Sequence, residues 1–304
     1  MYGLIAKLLR YRNRNFPKIL LYHRVYESRT DLLHSGMGVS YDRFLRQLLF
    51  LKKHYEILPL QELLDNWRKN IHKPYQISIT FDDGYKDIYT LVYPILKKFN
   101  IKISVFLTLN PLRTREYLWY DAFFNLKKIY KLDNLVEILS KLFCIDFDSF
   151  ADIFSYIKYN FNSYQKIVDI YRFLGVEYPK DEDSVLYLNW QDLRSMEDLV
   201  SFGMHGVYHN CFSTIGKPLA ENEVKDSKLY LEERGSYCRN IFSFPFGHKK
   251  DVLDLSEVFY GENIEFALSA EPGFLKQSSD KFFIPRIGVE DWNVNIFSLL
   301  IEKF

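Results

Sequence analysis

Two carboxylates, Asp82 and Asp83, end an apolar run and precede Gly84; two imidazoles, His205 and His209, follow with three residues between them. Adjacent carboxylates at the end of a buried strand repel one another and lose hydration, so they call for positive charge beside them. A divalent metal supplies that charge. A His-x-x-x-His on a turned or helical stretch faces both rings the same way. Two imidazoles with one carboxylate leave coordination positions open for water, the arrangement of hydrolytic zinc sites. Alone, Asp-Asp-Gly is most often a turn. Its weight here comes from both pairs falling at predicted strand ends.

The elements that must position these groups are legible as alternating strands and helices. Residues 76–81 alternate with period two between Pro74 and Gly84 and read as a strand leading into Asp82 and Asp83. Residues 18–23 read as a buried strand ending at His23. Between them lie a helix at 41–54 with Ser40 as N-cap, a short strand at 56–60 and a helix at 61–69. A helix at 86–99 and a strand at 101–107 follow. From about 111 to 187 the rhythm breaks into helical, aromatic-rich sequence without clear strands, an insertion on one loop with Trp119 and Asp121 near its start. It reads as a substrate lid or a packing appendage. After Asn189 come a helix at 191–200, a strand at 202–205, a helix at 218–234, a strand at 241–244, a helix at 252–260, and strands at 264–268 and 282–287. This is an α/β chain, a single domain over residues 1–304, whose strand–helix units fit an irregular barrel with its chemistry at the C-terminal strand ends.

Three phrases resemble the motifs of the polysaccharide deacetylase (NodB-homology, carbohydrate esterase family 4) family. Thr80-Phe81-Asp82-Asp83-Gly84 resembles the first, His205-Gly-Val-Tyr-His209-Asn210 the second, and Ser243-Phe244-Pro245-Phe246-Gly247 the third. Trp190-Gln-Asp-Leu-Arg and Phe202-Gly203 match the surroundings. The resemblance implies a distorted (β/α)7 barrel that removes N-acetyl groups from sugars with a divalent metal, usually zinc, with cobalt or nickel as alternatives. It makes Asp82 the general base and Asp83, His205 and His209 the metal ligands. It also implies an oxyanion site at the Phe246 backbone N–H beside Pro245, with Trp119 and Asp121 expected near the substrate.

Two departures stand out. Ser243 occupies the place of the family's third-motif Arg, and no His follows His248, where the family has a late one. Leu21-Tyr22-His23-Arg24-Val25 resembles the opening of circularly permuted deacetylases acting on poly-N-acetylglucosamine, in which the strand with the late His comes first. His23 would then protonate the leaving amine. Arg286, ending the strand at 282–287, is the candidate for the missing Arg, with Arg24 as its rival. His54 and His72, beside lysines, read as solvated, His34 as a loop residue, and His248 as peripheral.

Composition bounds the rest. Of the 304 residues 48% are hydrophobic and 17% aromatic, enough for a large core and some sugar-stacking rings. A net charge of +1 excludes a general nucleic-acid surface. Three cysteines, Cys144, Cys211 and Cys238, fit no disulfide framework or metal spacing. Residues 1–18 carry five basic and no acidic side chains, with Leu4, Ile5, Leu8 and Leu9 on one helical side. That segment reads either as an ordinary first helix or as a peripheral contact with anionic membrane. It lacks the core and cleavage site of a secretory signal, so the expectation is a cytoplasmic protein, with or without membrane association. The expected partner is an N-acetylated sugar, lipid-linked, nucleotide-linked or polymeric. Two other readings stay open: an amide hydrolase acting on a non-carbohydrate substrate, and a catalytically degenerate barrel that binds glycan.

Overall fold

The computed structural model describes residues 2–27, 37–71, 73–233 and 238–304. His34, His72 and the Cys238 side chain lie outside the described residues.

Among the described residues ten strands form: β1 (Lys18–Tyr22), β2 (Arg24–Tyr26), β3 (Gly38–Ser40), β4 (Glu56–Ile57), β5 (Gln76–Phe81), β6 (Ile103–Leu107), β7 (Val200–Met204), β8 (Cys238–Ser243), β9 (Phe266–Leu268) and β10 (Ile287–Gly288). Eight of them make one parallel sheet in the order β10-β1-β5-β6-β7-β8-β9, with β4 also paired to β5, while β2 and β3 pair separately. Parallel strands covered on both faces are apolar throughout. β1, β5 and β6 accordingly have no exposed position.

The sheet curls until its two edges meet along one stretch of chain. Ile284 bridges Leu268 of β9, and Ile287, three residues on, pairs with Leu20 of β1. This is the expected α/β barrel class, with a seam. The strand expected at 282–287 is reduced to that single bridge and the two residues of β10. Pro285 is the reason, since it has no N–H to offer a ladder. The helix expected at 86–99 likewise divides into a π-helical turn at Ile88–Val92 and an α-helix at Tyr93–Phe99, with Pro94 in its first turn. The expected helix at 252–260 shortens to Ser256–Gly261.

Between β6 and β7 the chain builds helices Leu109–Thr114, Trp119–Ile129, Leu132–Phe143, Phe150–Asn160 and Ser163–Phe173. The last four enclose a core of their own that includes Trp119, Phe123, Leu135, Leu139, Ile153 and Ile167, while Leu109 and Leu112 of the first join the main core. Tyr85, two residues beyond Asp83, belongs to this second core and forms an antiparallel bridge with Tyr187. The inserted helices are therefore rooted against the first motif.

The first helix, Tyr2–Arg12, packs on Val294–Leu300 and buries Ala6. Lys18 is not part of a solvated basic face: its ammonium is buried 3.3 Å from the Glu302 carboxylate. Among the described residues no helix is long and apolar enough to cross a membrane.

Candidate active site

The strand ends converge as parallel topology requires. β1 delivers His23, β5 delivers Asp82 and Asp83, β7 delivers His205, and β8 ends on Ser243. Asp82 and Asp83 are both 2% exposed, Asp83 has a left-handed backbone, φ +74°, and His205 Nε2 lies 3.8 Å from Asp82 Oδ2 and 3.4 Å from Asp83 Oδ1.

Asp82 is held from two directions. Arg286, fully buried, donates from Nη1 to Oδ1 at 2.8 Å and from Nη2 to Oδ2 at 2.7 Å, a bidentate fork. Ser243 Oγ donates to Oδ2 at 3.0 Å and itself accepts from Arg286 Nη2 at 2.8 Å. Arg286 is anchored through Nε to the Ser269 carbonyl at 2.8 Å. Burial works to raise the Asp82 pKa, but Arg286 and then His205 outweigh it and hold the carboxyl below its usual value. Asp82 is thus ionised and held in a fixed orientation. Arg24, the rival candidate, is engaged elsewhere: Nε donates to Asp87 Oδ2 at 2.7 Å, and the guanidinium lies over the Tyr85 ring.

Asp83 has a different environment. Oδ1 lies 3.4 Å from His205 Nε2 and 3.3 Å from His209 Nε2, and the ligand atoms of the three residues all fall within 4.8 Å of one another. Neither oxygen of Asp83 has a hydrogen-bond partner despite full burial. A buried charged carboxylate left without donors is costly. A cation between these three groups removes that cost, so the donor set fits a divalent metal, and two nitrogens with one oxygen suit zinc. Burial works to raise the Asp83 pKa, but the two imidazoles hold it well below the usual carboxylate range.

The two imidazoles are fixed by different means. His205 Nδ1 lies 2.8 Å from the Ser243 carbonyl, which orients the ring and directs Nε2 at the centre. Burial would lower the His205 pKa, but Asp82 and Asp83 raise it above the ordinary value. His209 Nδ1 has no hydrogen-bond partner, and burial carries its pKa down.

His23 joins this cluster. Burial lowers its pKa, against the opposing charges of Asp83 and Asp82. In the third-motif loop Phe246 has φ +59°, and its ring stands 4.8 Å from that of His209. Pro245 is buried, so close to Gly206 that a Cβ there would come within 3.5 Å of its ring. His248 is half-exposed and lies 3.6 Å from Glu271.

Trp119 and Asp121 correct the sequence reading. Both are buried, at 0% and 1% exposure, and cannot face a glycan. The Trp119 indole N–H donates to the His209 carbonyl at 2.8 Å. Asp121 accepts from the hydroxyls of Tyr85 at 2.8 Å and Tyr187 at 2.5 Å, and burial pushes its pKa up to about 6.

Residues 69–143 match the polysaccharide deacetylase family. The chain carries a polysaccharide deacetylase domain. Over 299 residues it is 22% identical to a poly-beta-1,6-N-acetyl-D-glucosamine N-deacetylase of Staphylococcus aureus (strain MRSA252), covering 97% of this chain and 80% of the relative. Its fold resembles that of the Streptococcus pyogenes deacetylase PplD, solved in complex with acetate, with a TM-score of 0.64 at 17% identity, covering 95% of this chain and 99% of that one. IcaB from Ammonifex degensii gives 0.60 at 17% identity, covering 94% and 97%.

Two residues that sequence reasoning passed over support the site loops. Glu223, buried on the helix Lys217–Glu233, accepts from the backbone N–H groups of Val207 and Tyr208 and from Asn210 Nδ2 at 2.5, 3.0 and 2.9 Å. It thereby ties down the turn between the two histidines. Lys158, on an inserted helix, forms a buried ion pair with Asp251 at 3.1 Å and lies 3.8 Å over the Phe246 ring. In sequence both look like ordinary charges on the solvated face of an amphipathic helix.

Proposed function

We propose that this protein is a metal-dependent carbohydrate N-deacetylase, with Asp82 as general base, Asp83, His205 and His209 as metal ligands, and His23 as general acid. The observation that carries the reading is the pair of unlike neighbours at the end of β5. One carboxylate is forked by Arg286, and the other faces two imidazoles with no hydrogen-bond donor of its own. A divalent cation held by the second would supply Lewis-acid charge at the substrate carbonyl and acidify water at neutral pH.

The chain's own groups account for the proton movements. Asp82, ionised and immobile, takes a proton from the attacking water. The water oxygen bonds to the acetamide carbon, and the backbone N–H of Phe246 is the candidate donor to the developing oxyanion. His23 gives a proton to the nitrogen as the C–N bond breaks, and acetate and a free amine result.

The substrate class we infer is a polymeric or lipid-linked N-acetylhexosamine, in keeping with the activity for which the Staphylococcus aureus relatives are named. Acetate release from a panel of free, nucleotide-linked, lipid-linked and polymeric N-acetyl sugars, with and without added zinc, tests this. Release from small non-sugar acetamides assayed alongside, and from no sugar of the panel, would favour an amide hydrolase acting on a non-carbohydrate substrate. No metal binding and no release from any donor would favour the degenerate glycan-binding barrel.

We infer as well a peripheral contact with anionic lipid through the first helix. Leu4, Leu8 and Tyr11, at i, i+4 and i+7, are 66%, 62% and 62% exposed, beside Lys7, Arg10, Arg12 and Arg14 with no acidic side chain among them. Cosedimentation with phosphatidylglycerol vesicles, weakened by salt and absent with phosphatidylcholine, is the expected result. Equal recovery from both lipids would remove this inference.

A further inference from the structure

The two histidines proposed as ligands present an asymmetry that the barrel does not resolve. His205 is oriented by a hydrogen bond from Nδ1 to the Ser243 carbonyl, at a strand end. His209 lies in the loop beyond β7, has φ +56°, and has no hydrogen bond at Nδ1. A non-glycine residue in the left-handed region persists only when its surroundings hold it there. A ring with no hydrogen bond at its second nitrogen turns about χ2 unless packing stops it.

Glu223 holds the flanking Tyr208 and Asn210 from the barrel side, and the inserted helix Trp119–Ile129 acts on His209 itself, at both its peptide and its ring. The indole N–H of Trp119 donates to the His209 carbonyl at 2.8 Å, fixing the left-handed peptide. The Tyr120 ring stands edge-on to the His209 ring at 5.0 Å, and Phe246 closes on it at 4.8 Å. With His205 at 4.9 Å, the imidazole is caged on three sides by rings. Trp119 and Tyr120 are both buried, so neither is available to a substrate.

We propose that Trp119 and Tyr120 are positioning residues for His209, so that the inserted helix does for the second histidine what the Ser243 carbonyl does for the first. The role of the segment from 109 to 187 is then to complete the metal centre from outside the barrel. This rests on the metal reading above. Partners that orient a ligand in this way are worth 10–100-fold in metal affinity.

The test is cobalt(II) titration of the metal-free, full-length protein, read by the visible absorption of the bound ion and by competition with a chelator. Trp119→Phe keeps a ring and loses the donor; Tyr120→Leu keeps bulk and loses the ring. Each is expected to weaken cobalt binding about tenfold or more and to alter the absorption band, with turnover recovering at saturating metal. Phe123→Leu, in the same helix and stacked on Phe150 at 4.0 Å, destabilises the inserted core without touching His209 and should leave cobalt affinity unchanged. Wild-type affinity in both Trp119→Phe and Tyr120→Leu overturns the positioning role while the metal reading stands. A loss in Phe123→Leu equal to theirs overturns it as well, since the effect would be merely structural. Absence of cobalt binding by the wild-type protein overturns both the metal reading and this one.

Discussion

The barrel and the inserted helices meet at the same centre but grip it with different materials. On the barrel side, Asp82, Arg286, Ser243 and His205 are joined by hydrogen bonds of 2.7–3.0 Å, each with a defined direction. On the insertion side one hydrogen bond, from Trp119 to the His209 carbonyl, accompanies contacts that are mostly with rings: Tyr120 on His209, Trp119 on Phe246 and, over Phe246, the Lys158 ammonium. Directional bonds to buried charges cannot be partly satisfied, because a lost partner leaves a bare charge. Packed rings lose contact area in proportion to what is removed. Damage on the barrel side should therefore be abrupt, and damage on the insertion side graded.

The largest expected effect is that of Asp82→Asn. It removes the base and keeps the shape, and acetate release should fall by about a thousandfold while bound zinc per chain stays at the wild-type level. Turnover within tenfold of wild type would show that the proton goes elsewhere. Arg286→Met comes next. It strands a buried carboxylate, and urea denaturation should register a loss of about 3–5 kcal/mol. Arg286→Lys should recover only part of that, since an ammonium cannot form the fork. Equal stability of the Met and Lys variants would mean that charge alone counts for little here and that the fork geometry carries the effect.

Asp121 sharpens the comparison from the insertion side. Its pKa of about 6 lies above the ordinary 3.8, chiefly through burial, so the folded state binds this proton more tightly than the unfolded state. The stabilisation is complete below about pH 4 and disappears as the pH rises through 6, a loss of roughly 2–3 kcal/mol from this group. Asp121→Asn should flatten that slope in denaturation midpoints taken from pH 4 to 7; an unchanged slope would assign it to other groups. The smallest effect belongs to Ser243→Ala, which takes one donor from an Asp82 still forked by Arg286. A fall in turnover of about tenfold or less is expected, and one as large as that of Asp82→Asn would contradict the division of labour.

Much of this geometry could be read from the chain because strand ends are legible. A period-two run bounded by Pro and Gly located β5, a short apolar run located β1, and parallel strand topology then brings His23, Asp82, Asp83 and His205 to one end. Arg286 could be named as a candidate because it follows an apolar run, although Pro285 breaks that run as a strand. What escaped was set by tertiary burial. Trp119 and Asp121 looked like substrate-facing groups at the mouth of an insertion, whereas the second core swallows both. Glu223 and Lys158 looked solvated because the helical periodicity of their segments gives no sign that a loop folds over them.

The seam at residues 281–288 has a temporal meaning. Arg286 meets Asp82 across 204 residues, on the stretch that joins the two sheet edges. As the chain emerges during synthesis, the His-lined pocket and the whole inserted core precede the guanidinium that neutralises Asp82. Contacts this distant in sequence form late and slowly. Ring closure and charge neutralisation thus depend on the same stretch of chain, and a chain interrupted before residue 286 has a carboxylate at Asp82 without the guanidinium that pairs with it. Completion of the barrel and competence of its base arrive together.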